Sequence, residues 1–198
     1  QLVTLFLAGH ETTSNVLTWT FALLAQNPEV EARLAAELSE VLTSDGSARA
    51  ATHDDLPRLK YTEQVLAESM RLYPPAYSVA RRASEDTEIG GYAVPRGAEV
   101  IAWTYMTQHD PRWFPEPEAF RPERFAAEAQ LPRSAYLPFG AGPRVCIGKS
   151  FAMMEAKILL ATIARKFRFE RSPNHKLQMK ARITLMPRHG LAGVLRQR

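Results

Sequence analysis

Apolar side chains recur at helical spacing along four stretches of the chain, with polar residues or prolines between them. The first stretch closes at Asn27-Pro28, because the residue before a proline disfavours the helical conformation. The same proline suits the first turn of the next helix, which also carries Glu29 and Glu31. The third stretch stops at Tyr73-Pro74-Pro75. The pattern therefore predicts four helices, over residues 1–26, 28–43, 59–72 and 147–167.

After the third helix the pattern changes to short apolar runs separated by glycine and proline turns. These runs predict strands over residues 77–83, 87–89 and 99–103. Residues 110–138 are rich in proline and predict an irregular segment that wraps around the core. In the tail, residues 183–186 and 191–195 predict a terminal hairpin. Helices with a small β-sheet make the expected class α+β, mainly α.

The composition indicates a globular chain of 198 residues, 45% hydrophobic and 23% charged, with enough apolar material for one core. A single cysteine excludes an internal disulfide framework and favours a reducing, cytoplasmic compartment. The apolar run over the first nine residues is too short to span a bilayer. The net charge of +4 describes either a solvated basic surface or a patch for an acidic electron-transfer partner. The basic residues are dispersed, which argues against nucleic acid.

The only cysteine, Cys146, lies in the sequence Phe-Gly-Ala-Gly-Pro-Arg-Val-Cys-Ile-Gly, residues 139–148. A lone cysteine in an ordinary domain is usually a small buried hydrophobe. Here three glycines and a proline predict a tight loop, and Arg144 places a positive charge two residues from the sulfur. These features favour a thiolate that holds a metal or a haem iron from one side.

The spacing Phe139-x-x-Gly142-x-Arg144-x-Cys146-x-Gly148 resembles the haem-binding loop of the cytochrome P-450 superfamily. The resemblance implies that Cys146 is the axial ligand of haem b iron and that Arg144 pairs with a haem propionate. It also implies that Gly142 and Gly148 let the backbone turn and bring amide N–H groups to the sulfur. Phe139 would pack beside that sulfur. The positions expected to contact the cofactor, besides Cys146, are Ala8, Arg81, Phe139, Gly140, Arg144, Ile147 and Gly148.

A second segment of the same superfamily type, Ala8-Gly9-His10-Glu11-Thr12-Thr13, falls in the first predicted helix. Ala8 and Thr12 are four residues apart and share a helix face, which leaves room for a diatomic ligand beside a hydroxyl. The resemblance to the oxygen-activating helix implies that Thr12 assists oxygen activation and that Glu11 relays protons. The alternative is a Thr12 hydroxyl bonded back to a helix carbonyl, beside a solvated Glu11.

The third helix carries Glu68 and Arg71, which meet on one face at a spacing of three residues. The spacing is similar to the Glu-x-x-Arg pattern of the superfamily, in which a later arginine completes a triad. In this chain Arg124 occupies that position. The resemblance implies a structural triad that locks the wrapped segment and performs no chemical step.

The first functional hypothesis is therefore a monooxygenase of a bacterial type. It would take electrons from a ferredoxin, a flavodoxin or a flavoprotein reductase and insert one atom of O2 into a small apolar substrate. A peroxide-using haem-thiolate enzyme is the alternative within the fold. A third hypothesis is a truncated, non-catalytic fragment, because the chain starts inside an apolar run. We accordingly expect residues 1–198 to be the C-terminal part of one domain, inactive and weak in haem binding when isolated.

Overall fold

The computed structural model describes residues 2–44, 46–129, 131 and 134–198. Residues 1, 45, 130, 132 and 133, which belong to the predicted first helix, a polar loop and the wrapped segment, lie outside the described residues. Five α-helices occur in these ranges: α1 (Leu2–Leu24), α2 (Pro28–Val41), α3 (Lys60–Leu72), α4 (Thr104–Gln108) and α5 (Lys149–Lys166). The four predicted helices are confirmed to within about two residues at each end, and α4 was not predicted.

The core lies between α1, α2, α3 and α5, which contact one another. Its fully buried members include Leu34 and Leu38 of α2, Leu66 of α3 and Leu160 of α5. The C-terminal half of α1 contributes to the same core, and Trp19 stacks on Tyr73 at a ring-centroid distance of 4.0 Å. The N-terminal part of α1 is exposed where its side chains are described. No helix in the described ranges has the length and hydropathy needed to cross a membrane.

The strands form antiparallel two-stranded ladders, which accords with the expected α+β class. The strand bounds are β1 (Thr43–Ser44), β2 (Ser47–Ala48), β3 (Val79–Arg82), β4 (Thr87–Ile89), β5 (Tyr92–Val94), β6 (Glu99–Ala102), β7 (Phe167–Arg171), β8 (Met179–Ala181), β9 (Leu185–Pro187) and β10 (Gly193–Gln197). β3 pairs with β6, β4 with β5, and the short β1 with β2. The predicted strands at 77–83, 87–89 and 99–103 correspond to β3, β4 and β6.

The predicted terminal hairpin is wrong, because its two halves pair with different partners. β9 pairs with β8, whereas β10 pairs with β7, the strand that follows α5 directly. Gly193 explains the second pairing. A Cβ at this position would lie 2.3 Å from the Glu170 carbonyl oxygen and 2.3 Å from the Phe169 ring, so only glycine permits the close approach of β10 to β7.

Candidate functional site

The loop that carries Cys146 is folded back on itself just before α5. The Cys146 backbone N–H donates to the Phe139 carbonyl oxygen at 2.9 Å, and a single 3-10 turn at Gly142–Arg144 lies between them. Gly140 and Gly142 have φ angles of +71° and +69°. A residue with a Cβ adopts this left-handed conformation only at a cost of roughly 1–2 kcal/mol. Two glycines and one hydrogen bond therefore set the shape of the loop.

Gly148 does not have the turning role that the resemblance implied. Its φ is −85°, which any residue adopts, and a Cβ there would lie 3.8 Å from the Cys146 Sγ, an ordinary contact. The structure assigns the backbone turn to Gly140 and Gly142 instead. The same contact shows that the sulfur lies beside the N-cap residue that precedes α5.

The surroundings of Cys146 are exposed and apolar. Cys146 itself is exposed, Ile147 is 94% exposed and Phe151, in the first turn of α5, is 62% exposed. The Cys146 thiol and these two apolar side chains are therefore accessible to a ligand.

The N-terminal end of α5 has no negative side chain of its own. Its first turn contains no Asp or Glu, and Gly148 at the N-cap offers no side-chain hydrogen bond. The positive end of a helix dipole stabilises an anion placed next to it by about 0.3–1 kcal/mol. The sulfur beside Gly148 is the group in position to be that anion.

Three of the predicted cofactor contacts, Phe139, Arg144 and Arg81, differ in burial. Phe139 is half-buried and packs against the core, which fixes the start of the loop. Arg144 and Arg81 are exposed, and neither forms an ion pair within the described residues. Arg81 donates from Nη1 to the Ala80 carbonyl at 2.8 Å. Arg82 is equally exposed, so burial does not distinguish it from Arg81.

The oxygen-activating segment lies in the exposed half of α1. The Thr12 hydroxyl donates to the Ala8 carbonyl at 2.6 Å, so the back-bonded alternative describes its hydrogen bond. Ala8 and Glu11 are exposed, and a Cβ at Gly9 would contact nothing within 4 Å. Glu11 is not simply solvated, because its Oε1 accepts a hydrogen bond from the Thr184 hydroxyl. The segment thus presents an open helix face beside one restrained carboxylate.

Glu68, Arg71 and Arg124 meet in the interior. The side chains of Glu68 and Arg71 are both 0% exposed, with Arg71 Nε 2.7 Å from Glu68 Oε2. Arg124 Nε lies 3.3 Å from Glu68 Oε1, which also accepts from the Arg121 backbone N–H at 3.0 Å. Burial lowers the pKa of Arg124 from its ordinary value, and the Glu68 carboxylate opposes that shift.

Arg71 extends this network toward the cysteine loop. It donates to the Gln108 carbonyl at 2.8 Å and to the Ala119 carbonyl at 3.2 Å, so it holds a residue just before the wrapped segment and one residue within that segment. The Gln108 side chain in turn accepts from the Leu137 backbone N–H at 3.1 Å, two residues before Phe139. The sequence analysis missed Gln108, because a single glutamine after a strand carries no pattern.

A second residue that the sequence analysis missed is Thr184, the partner of Glu11. It is buried at 6% exposure between β8 and β9 and lies 173 residues from Glu11 in sequence. It falls within the predicted terminal hairpin, where it was treated as a strand residue. No local signal in the chain relates it to α1.

The arrangement can be compared with known proteins. The chain matches the sequence profile described as Cytochrome P450 over residues 1–191. The chain belongs to the cytochrome P450 family. Members of this family are named for a haem cofactor that is bound through a cysteine thiolate.

Individual relatives cover all or nearly all of this cytochrome P450 chain. It is 40% identical to "Putative cytochrome P450 132" of Mycobacterium tuberculosis over 199 residues. That match covers 100% of the chain and 42% of the relative. It is 43% identical to cyclooctatin synthase of Streptomyces melanosporofaciens, over 93% of the chain and 40% of the relative. It is 43% identical to cytochrome P450 4V2 of Mus musculus, over 100% of the chain and 38% of the relative. The chain therefore spans about two fifths of the length of these relatives.

The residues present fit the cofactor of the family. Haem is a flat apolar ring with two carboxylates and an iron that accepts a sulfur ligand. The loop offers an exposed thiol, exposed Ile147 and Phe151 side chains and the unpaired guanidinium of Arg144 within the described part of the chain. These are a ligand for the iron, apolar side chains for the ring and a cation for one of the two carboxylates.

Proposed function

We propose that residues 1–198 form the C-terminal, haem-binding portion of a cytochrome P450 monooxygenase domain that inserts one atom of O2 into an apolar organic substrate. The observation that carries the proposal is the exposed Cys146, held in a glycine-turned loop beside the N-terminal end of α5. Cys146 would hold haem b through its sulfur, and the haem would supply the redox chemistry for using O2. The relatives' greater length supports a longer domain around this portion.

The proposed roles around the cofactor follow from charge and position. Cys146 binds the iron, and the α5 dipole stabilises its negative charge. Arg144 and Arg81 pair with the propionates, since both guanidinium groups are exposed and free of ion pairs in the ranges described. Gly140 and Ile147 belong to the same loop and would contact the ring.

We assign proton handling to α1. Ala8 leaves space for O2, since it is small and exposed. Glu11 holds and releases a proton at its carboxylate, and exposure gives it access to water. Thr12 donates to Ala8, so its oxygen keeps a lone pair that can accept a hydrogen bond from water.

The electron donor is proposed to be a ferredoxin, a flavodoxin or a flavoprotein reductase. Arg144 and Lys149 are exposed on the side of the cysteine loop, and positive charges there steer an acidic partner to the shortest route to the iron. Raising the ionic strength should therefore slow electron transfer more than it weakens substrate binding.

Isotope labelling tests the monooxygenase proposal. The intact, haem-loaded protein is given a reductase system, ¹⁸O2 and a panel of fatty acids and terpene hydrocarbons. One ¹⁸O atom should appear in the product, and turnover should require the electron donor. Product oxygen derived from water would contradict the proposal. Equal turnover with peroxide and no donor would contradict it in favour of the peroxide-using alternative.

A further inference from the structure

The segment that carries Thr184 is fixed from three directions. Leu185 donates from its backbone N–H to the Pro75 carbonyl at 3.0 Å and accepts from the Trp19 indole at 3.2 Å. On the other side of Thr184, the Tyr77 hydroxyl donates to the Arg182 carbonyl at 2.7 Å. The Thr184 hydroxyl is therefore held at a defined place relative to α1.

The direction of the hydrogen bonds at this hydroxyl is set by chemistry. A carboxylate can only accept, so the single proton of the Thr184 hydroxyl points to Glu11 Oε1. The hydroxyl oxygen then accepts from the Asn15 side-chain amide at 3.1 Å. Asn15 is 7% exposed and lies four residues from Glu11 on the same face of α1. The series of hydrogen bonds thus runs from Asn15 through Thr184 to Glu11.

We propose that Thr184 is a positioning residue that anchors Glu11 through Oε1 and leaves Oε2 as the oxygen that exchanges protons with water. Oε2 has no hydrogen-bond partner within the described ranges. Thr12 does not provide this anchor, because its proton is committed to the Ala8 carbonyl. The functional part of this inference rests on the proposed role of Glu11 in proton delivery, whereas the anchor itself does not.

A double-mutant cycle on unfolding tests the anchor without any catalytic readout. Thr184→Val and Glu11→Ala are made singly and together in the intact, haem-loaded protein, and urea unfolding is measured. A hydrogen bond to a carboxylate should couple the two changes by about tenfold in the unfolding equilibrium constant. Thr18→Val is the matched control, because its hydroxyl donates only to the Ser14 carbonyl of the same helix and should show no coupling to Glu11→Ala.

The functional part is tested by the fraction of donor electrons recovered in product, measured across pH and in D2O. Thr184→Val should lower this fraction several-fold and enlarge the solvent isotope effect. Thr184→Ser, which keeps the hydroxyl, should restore both. In the Glu11→Ala background, Thr184→Val should have no further effect.

The outcomes separate the anchor from the proposed function. Additive unfolding effects of Thr184→Val and Glu11→Ala overturn the anchor. Coupled unfolding with unchanged electron recovery in Glu11→Ala supports the anchor and overturns the proton role of Glu11. An equal loss of electron recovery from Thr184→Val with and without Glu11 overturns the claim that Thr184 acts through Glu11.

Discussion

The buried Glu68–Arg71 pair gives the most quantitative prediction, because every donor and acceptor is identified. Arg71 makes four hydrogen bonds: two to Glu68, one to the Gln108 carbonyl and one to the Ala119 carbonyl. Lysine has three donors on a single nitrogen, so Arg71→Lys leaves at least one buried acceptor without its partner. Each such loss costs about 1–3 kcal/mol.

Glu68→Gln is the more severe change. It keeps the shape of the side chain but leaves the Arg71 guanidinium, which is 0% exposed, without a buried counter-ion. Removing one partner of a buried pair costs about 3–5 kcal/mol. Because a native protein is stable by only about 5–15 kcal/mol, this single change removes a large part of the total.

Urea unfolding of the intact protein, followed by circular dichroism and by haem absorbance, measures both variants. We expect Glu68→Gln to lower the free energy of unfolding more than Arg71→Lys, and haem loss to accompany unfolding, since the network reaches Leu137 before the cysteine loop. Arg196→Lys is the matched control, because Arg196 is 64% exposed in its ion pair with Glu170 and should cost under about 1 kcal/mol. A Glu68→Gln effect no larger than this control would refute the reasoning.

Three further changes test other parts of the structure. Glu37→Ala should cost about 2 kcal/mol in urea unfolding, because its carboxylate accepts from two backbone N–H groups in the first turn of α3, at 2.5 and 2.8 Å. Gly142→Ala should lower the free energy of unfolding by about 1–2 kcal/mol and should lower the haem content, because Gly142 has a positive φ. Gly148→Ala should change these two quantities little, because the φ of Gly148 is negative. Hydrogen bonds from the Arg49 guanidinium hold the pKa of Asp55 well below its ordinary value of about 4. The stabilisation from Asp55 is therefore complete above about pH 4 and is lost as the pH falls through the lowered pKa. The melting temperature of Asp55→Asn should therefore fall less steeply with acidification than that of the natural protein.

The helices were predictable because prolines and apolar spacing are local signals. Pro28 begins α2 and the pair after Tyr73 ends α3, as the sequence indicates. The strand pairing was less predictable, because it depends on which segments approach after the helices pack. Gly193 is the exception: its absent side chain lets β10 reach β7, and a glycine inside a strand is a signal of close backbone approach.

The cysteine loop was predictable as a motif but not in its details. The turn falls on Gly140 and Gly142 and not on Gly148, a distinction that only the φ angles reveal. Gln108 and Thr184 were not predictable, because each acts through one hydrogen bond between distant parts of the chain. Contacts of this kind leave no periodic or composition signal.

The proposed function depends on one bond, from the sulfur of Cys146 to haem iron. The intact protein is loaded with haem, reduced and exposed to carbon monoxide, and its Soret band is compared with that of Cys146→Ser. We expect a Soret band shifted to the red, as thiolate ligation gives, and loss of that shift in the serine variant. An unshifted band in the natural protein, or the same shifted band in Cys146→Ser, would contradict the assignment of the ligand.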